Sequence, residues 1–243
     1  MIGLGTLVNT AAIVLAGVFG KLFGGRLKER HQDTLIKACG VSVIFIAIAG
    51  VMSRMLSVDG TALTSGRSVM LVLAVALGAL IGEIINIEDG FERFGSWLKQ
   101  KTGNAGDPTF VDAFVTASLT VSIGAMAVVG AIRDGLSGDS SVLITKSILD
   151  FVIILVMTSS MGKGCAFSAI PVLIVEGSLT LLARLIAPVM TDAALANLSL
   201  VGSVLIFCVG VNLTFGKRVR VANLLPALVL AVVFAFLPLS FLQ

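Results

Sequence analysis

The chain has 243 residues, of which 57% are hydrophobic and only 13% charged, with a mean hydropathy of +1.07. Soluble domains carry about 25% charged residues, so the composition excludes a soluble enzyme or binding domain. The net charge of +3 comes from a few basic residues set between apolar runs, which is not a nucleic-acid signature. Cys39, Cys165 and Cys208 show no paired spacing, and with the lone His31 they make no metal site. No cofactor motif is present.

The apolar residues fall in continuous runs of about 20, the length of helix needed to cross ~30 Å of hydrocarbon. Backbone groups cannot go unpaired in lipid, and the runs do not alternate, so they predict helices and not a β-barrel. The first run, 2–21, has no charge before Lys21 and is followed by a basic cluster, the pattern of a retained helix with its N-terminus outside. Next, Leu27, Leu35 and Ile36 alternate with charges in 23–40, predicting a short amphipathic interfacial helix that includes Arg26. Spans follow at 38–57 and 67–87, then a second amphipathic segment at 88–101 with Phe91, Phe94, Trp97 and Leu98 on one face. The remaining spans are 109–131, 141–161, 165–188, 196–215 and 221–241, giving about eight in one transmembrane domain, 1–243.

Of the 17 Lys and Arg residues, twelve lie in one set of loops, while Arg54, Arg67, Arg133 and Arg184 lie in the other. The bias places the first set in the cytoplasm and both termini on the opposite side of a bacterial inner membrane. The segment SVIFIAIAGV at 42–51 resembles SVLIFCVGV at 203–211 with one gap. Spans 1–3 (residues 2–87) then correspond to spans 6–8 (165–241) in opposite orientation, around a central pair at 109–161. Such inverted repeats are a recurrent plan of secondary transporters; composition alone also makes two Val/Ile/Leu-rich helices look alike.

Polar residues inside the apolar runs concentrate between 109 and 180. Asp112, Thr116 and Thr120 are spaced i, i+4, i+8 and share a helix face. They read either as a pathway stripe or as small-residue packing. Lys146 and Asp150 are one turn apart near the middle of their span, either a structural ion pair or charges of a pathway. Glu176 sits near the centre of its span, with Thr180 and Arg184 following on the same side and Pro171 before it. Ionisable groups at that depth cost roughly 2.5–3.5 kcal/mol each on insertion scales, so they mark sites more often than they fill space. Gly124, Gly130, Gly135 and Gly138 are candidate helix breaks, and Gly162 with Gly164 a tight turn. Gly177 predicts a close helix approach. Gly78-x-x-x-Gly82 and Ala16-x-x-x-Gly20 predict packing faces.

No P-loop and no nucleophile elbow occurs, so no enzymatic activity is expected. The run IGAMAVVGAIRDGLSGDSSVLITKSILDF and the following MGKGCAFSAIPVLIVEGSLTLLA closely resemble the domain-of-unknown-function 554 family of YqgA/YdfK-like bacterial membrane proteins. GTLVNTAAIVLAGVFGKLFGGRLKERHQDTLIKACG near the start and VRVANLLPALVLA near the end carry the same resemblance. It implies a polytopic inner-membrane protein and no established substrate. It also implies Gln where this chain has Glu176, which sets that residue's weight below Lys146 and Asp150.

The leading expectation is a secondary transporter of a small ion or polar solute, with Lys146, Asp150 and Glu176 meeting the solute or coupling ion and Asp112, Thr116, Thr120 and Thr180 along its path. The alternatives are an oligomeric ion channel lined by the Ser/Thr face and a non-transporting scaffold or sensor whose basic helix holds anionic lipid. Expected partners are membrane lipids, the transported species and a second copy of the chain.

Overall fold

The computed structural model describes residues 1–24, 28–60, 62–122 and 125–237, without the side chains of Glu29, Asp59 and Ala125. Arg26, Leu27, Gly124 and residues 238–241 of the last expected span lie outside the described residues. In chain order come α1 (Leu4–Gly24), α2 (Glu29–Met55), a hairpin of β1 (Leu56–Asp59) and β2 (Ala62–Ser65), α3 (Ser68–Ile85), α4 (Ile87–Lys101), α5 (Phe110–Ser122), α6 (Ala125–Ser137) and α7 (Ser141–Met161). A 3-10 turn at Lys163–Ser168 leads into α8 (Ala169–Leu181). Then follow the short α9 (Ala183–Ile186), α10 (Asp192–Phe215), a second 3-10 turn at Val221–Leu224 and α11 (Pro226–Phe234).

The protein is a polytopic helical membrane protein. Among the described residues six helices are long and apolar enough to cross a membrane, or seven if α5 and α6 form one span bent by 62°. The last expected span is, over its described part, a shorter apolar helix. Burial is arranged for lipid: α7 turns Leu143, Lys146, Ser147, Asp150 and Ile154 inward while Ile148 and Val152 are more than half exposed. Apolar side chains lose nothing by facing acyl chains, so the interior is where small and polar groups gather.

Small residues set the helix contacts. A Cβ at Gly20 would lie 2.7 Å from the Leu155 carbonyl oxygen, and one at Gly5 would lie 2.7 Å from Leu143 Cβ. α1 and α7 therefore run side by side in the same direction. α2 and α10 cross in opposite directions, since Gly40 meets Gly210 and Gly50 meets Ser203. α3 and α11 are likewise opposed, with Gly78 against Ala227 and Gly82 against Asn223, as the Gly-x-x-x-Gly spacing predicts. The ends of the bundle differ. One, the terminal face, carries Met1 beside Gly138 and the β1–β2 hairpin; the other, the basic face, carries Lys21, α4 and Lys217.

Several sequence expectations need correction. The amphipathic segment over 23–40 is not a separate interfacial helix: α2 runs unbroken from Glu29 to Met55. Gly40 lies inside it, where its missing side chain allows the contact with Gly210 and Thr214. Gly130 and Gly135 lie inside α6, packed against Leu143 and Thr180, and only Gly138, at φ +71°, follows its end. A Cβ at Gly177 would meet nothing within 4 Å among the described residues, so no close helix approach forms there. Pro171 falls in the first turn of α8, where a missing N–H breaks no interior bond. The hairpin was not expected. Its Asp59-Gly60 dipeptide between alternating apolar residues is the turn signal.

α4 matches its expectation as an amphipathic helix. Leu98 is buried, Phe94 packs edge-on against Phe114 of α5 and stacks on Trp97, and Trp97 stays half exposed. Lys217 clamps α4 through Glu88 and Glu92 at 2.8 and 2.7 Å. Burial alone disfavours its ammonium, but the hydrogen bonds it donates to the two carboxylates outweigh it and hold its pKa above the ordinary lysine value.

Candidate functional site

The i, i+4 spacing of Lys146 and Asp150 puts both on the inward face of α7, where their side chains pair directly. The Lys146 ammonium also lies 3.3 Å from Glu176 Oε1 on α8 and donates to the Val121 carbonyl oxygen at 2.7 Å. Val121 is the next-to-last residue of α5, so its carbonyl belongs to the set that a helix end leaves unpaired. The negative end of the α5 dipole and two carboxylates thus surround one ammonium. All three of its N–H donors have partners.

A fourth helix completes the cluster through a residue the sequence reading passed over. Asn9 of α1 donates through Nδ2 to Asp150 Oδ2 at 3.1 Å and to Glu176 Oε1 at 3.0 Å. Its chemistry fixes the amide's orientation, since only the NH₂ end can face two carboxylates. Its Oδ1 is then buried without a partner among the described residues. Asp150 Oδ1 also takes no hydrogen bond there, Oδ2 receiving both Lys146 and Asn9. Lys146, Asp150, Glu176 and Asn9 are all buried, so the cluster holds one ammonium against two carboxylates deep within the bundle.

Polar contacts continue from the cluster toward the terminal face. Thr180, one turn beyond Glu176, is buried and shares a hydrogen bond of 3.2 Å with Thr6 of α1. Beyond it, the fully buried Asp134 of α6 accepts from the backbone N–H groups of Gly3 and Gly5 at 3.2 and 2.9 Å. That carboxylate caps α1, whose first N–H groups have no intrahelical partner. Asp134 was also missed. Arg184, expected to extend the Glu176–Thr180 stripe, instead lies exposed on α9.

Toward the basic face three cavities follow the α5 stripe. One of about 630 Å³ is bounded by α2, α5, α6, α7 and α10, with Lys146, Asp150 and Thr120 in its wall. A second of about 290 Å³ touches Thr116 and Asp112. A third of about 790 Å³ opens at the basic face between Asp112, Lys21 and Lys163. Asp112 is thus exposed at a cavity mouth, away from the charged cluster, and Thr116 lies between. The hydroxyl of Thr120 bonds back to the Thr116 carbonyl, the usual way a threonine is accommodated in a membrane helix. The structure therefore gathers Lys146, Asp150, Glu176 and Thr180 at one junction, and spreads Asp112, Thr116 and Thr120 along the approach to it. Among the described residues no group of His, Cys, Asp and Glu could hold a metal ion.

Comparison with known proteins gives the arrangement a family but no assigned activity. The family described as "Protein of unknown function (DUF554)" matches residues 4–236. The chain is 31% identical over 232 residues to the "Uncharacterized protein YqgA" of Escherichia coli (strain K12), covering 94% of each chain. It is 26% identical over 232 residues to the "Uncharacterized membrane protein YdfK" of Bacillus subtilis (strain 168), covering 96% of this chain and 95% of the relative. No solved structure matches.

Proposed function

This chain belongs to the DUF554 family, and we propose that it is a secondary transporter that moves a small ion or polar solute across the bacterial inner membrane by alternating access. The observation that carries the proposal is the buried cluster of Lys146, Asp150, Glu176 and Asn9 beside a cavity of about 630 Å³. A structural ion pair would be economical if sealed on all sides and balanced in charge. This one sets two carboxyl groups against one ammonium, leaves Asn9 Oδ1 without a partner among the described residues and forms part of a cavity wall. Those features suit a site that exchanges a proton or cation.

In this reading the basic face is cytoplasmic, following the Lys/Arg bias, and both termini lie outside. The solute enters past Asp112, Thr116 and Thr120, binds at the cluster and leaves past Thr180, Thr6 and Asp134. The opposed directions of α1 and α8, α2 and α10, and α3 and α11 support an inverted repeat, with the cluster at the α1–α8 contact. The α5–α6 bend supplies the broken helix that such transporters use to present backbone carbonyls at the midplane.

The test is flux through purified protein in liposomes carrying an internal pH dye, under imposed ion and proton gradients. Wild-type protein is expected to give slow, saturable flux that Asp150→Asn abolishes while the variant keeps its melting behaviour. Equal flux in both proteins would remove Asp150 from the mechanism. Discrete unitary currents in a bilayer would replace the transporter by a channel.

A further inference from the structure

The cavity that reaches Lys146 and Asp150 is unlike a site for a small hydrated ion. Its position places it at membrane depth: it follows α2 from Leu35 to Gly50 and α7 from Lys146 to Val156. Its wall is mostly aliphatic, and its polar groups are confined to the inner end and a few serines. At its rim Ile46, Ile148 and Val152 are 58, 64 and 56% exposed, so the cavity opens sideways between helices, toward the acyl chains. Its volume of about 630 Å³ lies within the ~300–1,000 Å³ typical of pockets for small organic molecules.

Charge at the inner end decides the sign of the occupant. Asn9 of α1 is neutral, α5 offers the Val121 carbonyl and the Thr120 hydroxyl, α7 gives Lys146 and Asp150, α8 gives Glu176, and α2 and α10 contribute only serines and the Cys39 thiol to the polar part of the wall. The Lys146 ammonium is fully used by Val121, Asp150 and Glu176. An anion would have to displace one of these acceptors and add to a site already rich in carboxylate. A cation meets two carboxyl groups set against one ammonium, and Asp150 Oδ1, which accepts no hydrogen bond among the described residues.

We propose that the cavity binds a small organic cation with an apolar body, which enters sideways from the bilayer and sets its charge against Asp150. This rests on the transporter reading and narrows its small ion to that class. The apolar body replaces lipid contacts at little cost, while the cationic centre gains the Asp150 oxygen that Lys146 and Asn9 leave unused.

Tetraphenylphosphonium and tetraphenylborate are the probes, since they match in shape and differ in sign. Equilibrium dialysis against the purified full chain in detergent is expected to show saturable binding of the phosphonium at one site per chain. Binding of the borate is expected to be at least tenfold weaker. Asp150→Asn should weaken phosphonium binding at least tenfold. Ser42→Trp, which puts an indole into the cavity from an exposed position of α2, should do the same without touching the charged cluster. Equal binding of the two probes would mark an apolar groove for lipid chains and overturn the proposal. So would binding that neither variant weakens, or no binding because a second copy of the chain covers α2 and α7. If the phosphonium does not bind, yet another species shows Asp150-dependent flux, the cation class fails and the transporter reading stands. Phosphonium binding without any flux would fail the transporter reading and leave the site.

Discussion

Lys146 is the residue on which the interior electrostatics turn. Among the described residues its ammonium is the only positive charge in contact at the junction of α1, α5, α7 and α8. Removing one partner of a buried pair leaves an uncompensated charge and costs about 3–5 kcal/mol, whereas replacing both by apolar groups is often neutral. Lys146→Met is therefore expected to destabilise the folded protein by that amount in a reversible denaturation measured in detergent. Adding Asp150→Leu to it should recover part of the loss, since one carboxylate fewer is left to share the cavity wall. A double variant no more stable than Lys146→Met would show that the two residues do not act as a unit. Lys146 and Asp150 were legible in the sequence because their pairing is local, four residues apart on one helix. Asn9 and Asp134 were not. Their partners lie more than 120 residues away, and no local pattern marks a carboxylate that will cap the start of α1. The one available signal for Asn9 was an amide inside the first apolar run.

At the scale of elements, small residues decide how closely helices pack, and two glycines eight positions apart make contrasting predictions. A Cβ at Gly82 would fall 1.8 Å from the Asn223 carbonyl oxygen, whereas Gly90 has nothing within 4 Å. Gly82→Ala should force α3 and α11 apart and lower stability by about 1–3 kcal/mol, the ordinary cost of overpacking. Gly90→Ala, inside α4, should be neutral or slightly stabilising, since alanine is the better helix former. Thermal unfolding of the two variants checks the contrast, and an equal loss in both would contradict it. Run length and hydropathy made the long helices and α4 legible. They misplaced the start of α2 because charge alternation changes along a helix without ending it. The bend between α5 and α6 was expected only as a Gly-rich region. Its consequence, a free Val121 carbonyl aimed at Lys146, depends on a helix 25 residues further along the chain.

Across the whole molecule, polar groups form a line from Asp134 near the terminal face, through Thr180 and the charged cluster, to Thr120, Thr116 and Asp112 near the basic face. Outward of that line the helices present mostly large apolar side chains, such as Phe45, Ile148 and Val152. Transport requires the middle of the line to be a chamber that water and solute reach, and not a dry strut between helices. Side-selective thiol labelling tests this most directly. With Cys39, Cys165 and Cys208 replaced by alanine, Thr120→Cys places one thiol in the cavity wall beside Lys146. In sealed vesicles of known orientation, a small charged reagent that cannot cross the membrane is expected to modify that thiol from the side of the basic face. A thiol that stays unmodified from both sides, yet reacts fully once the protein is denatured, would contradict the account.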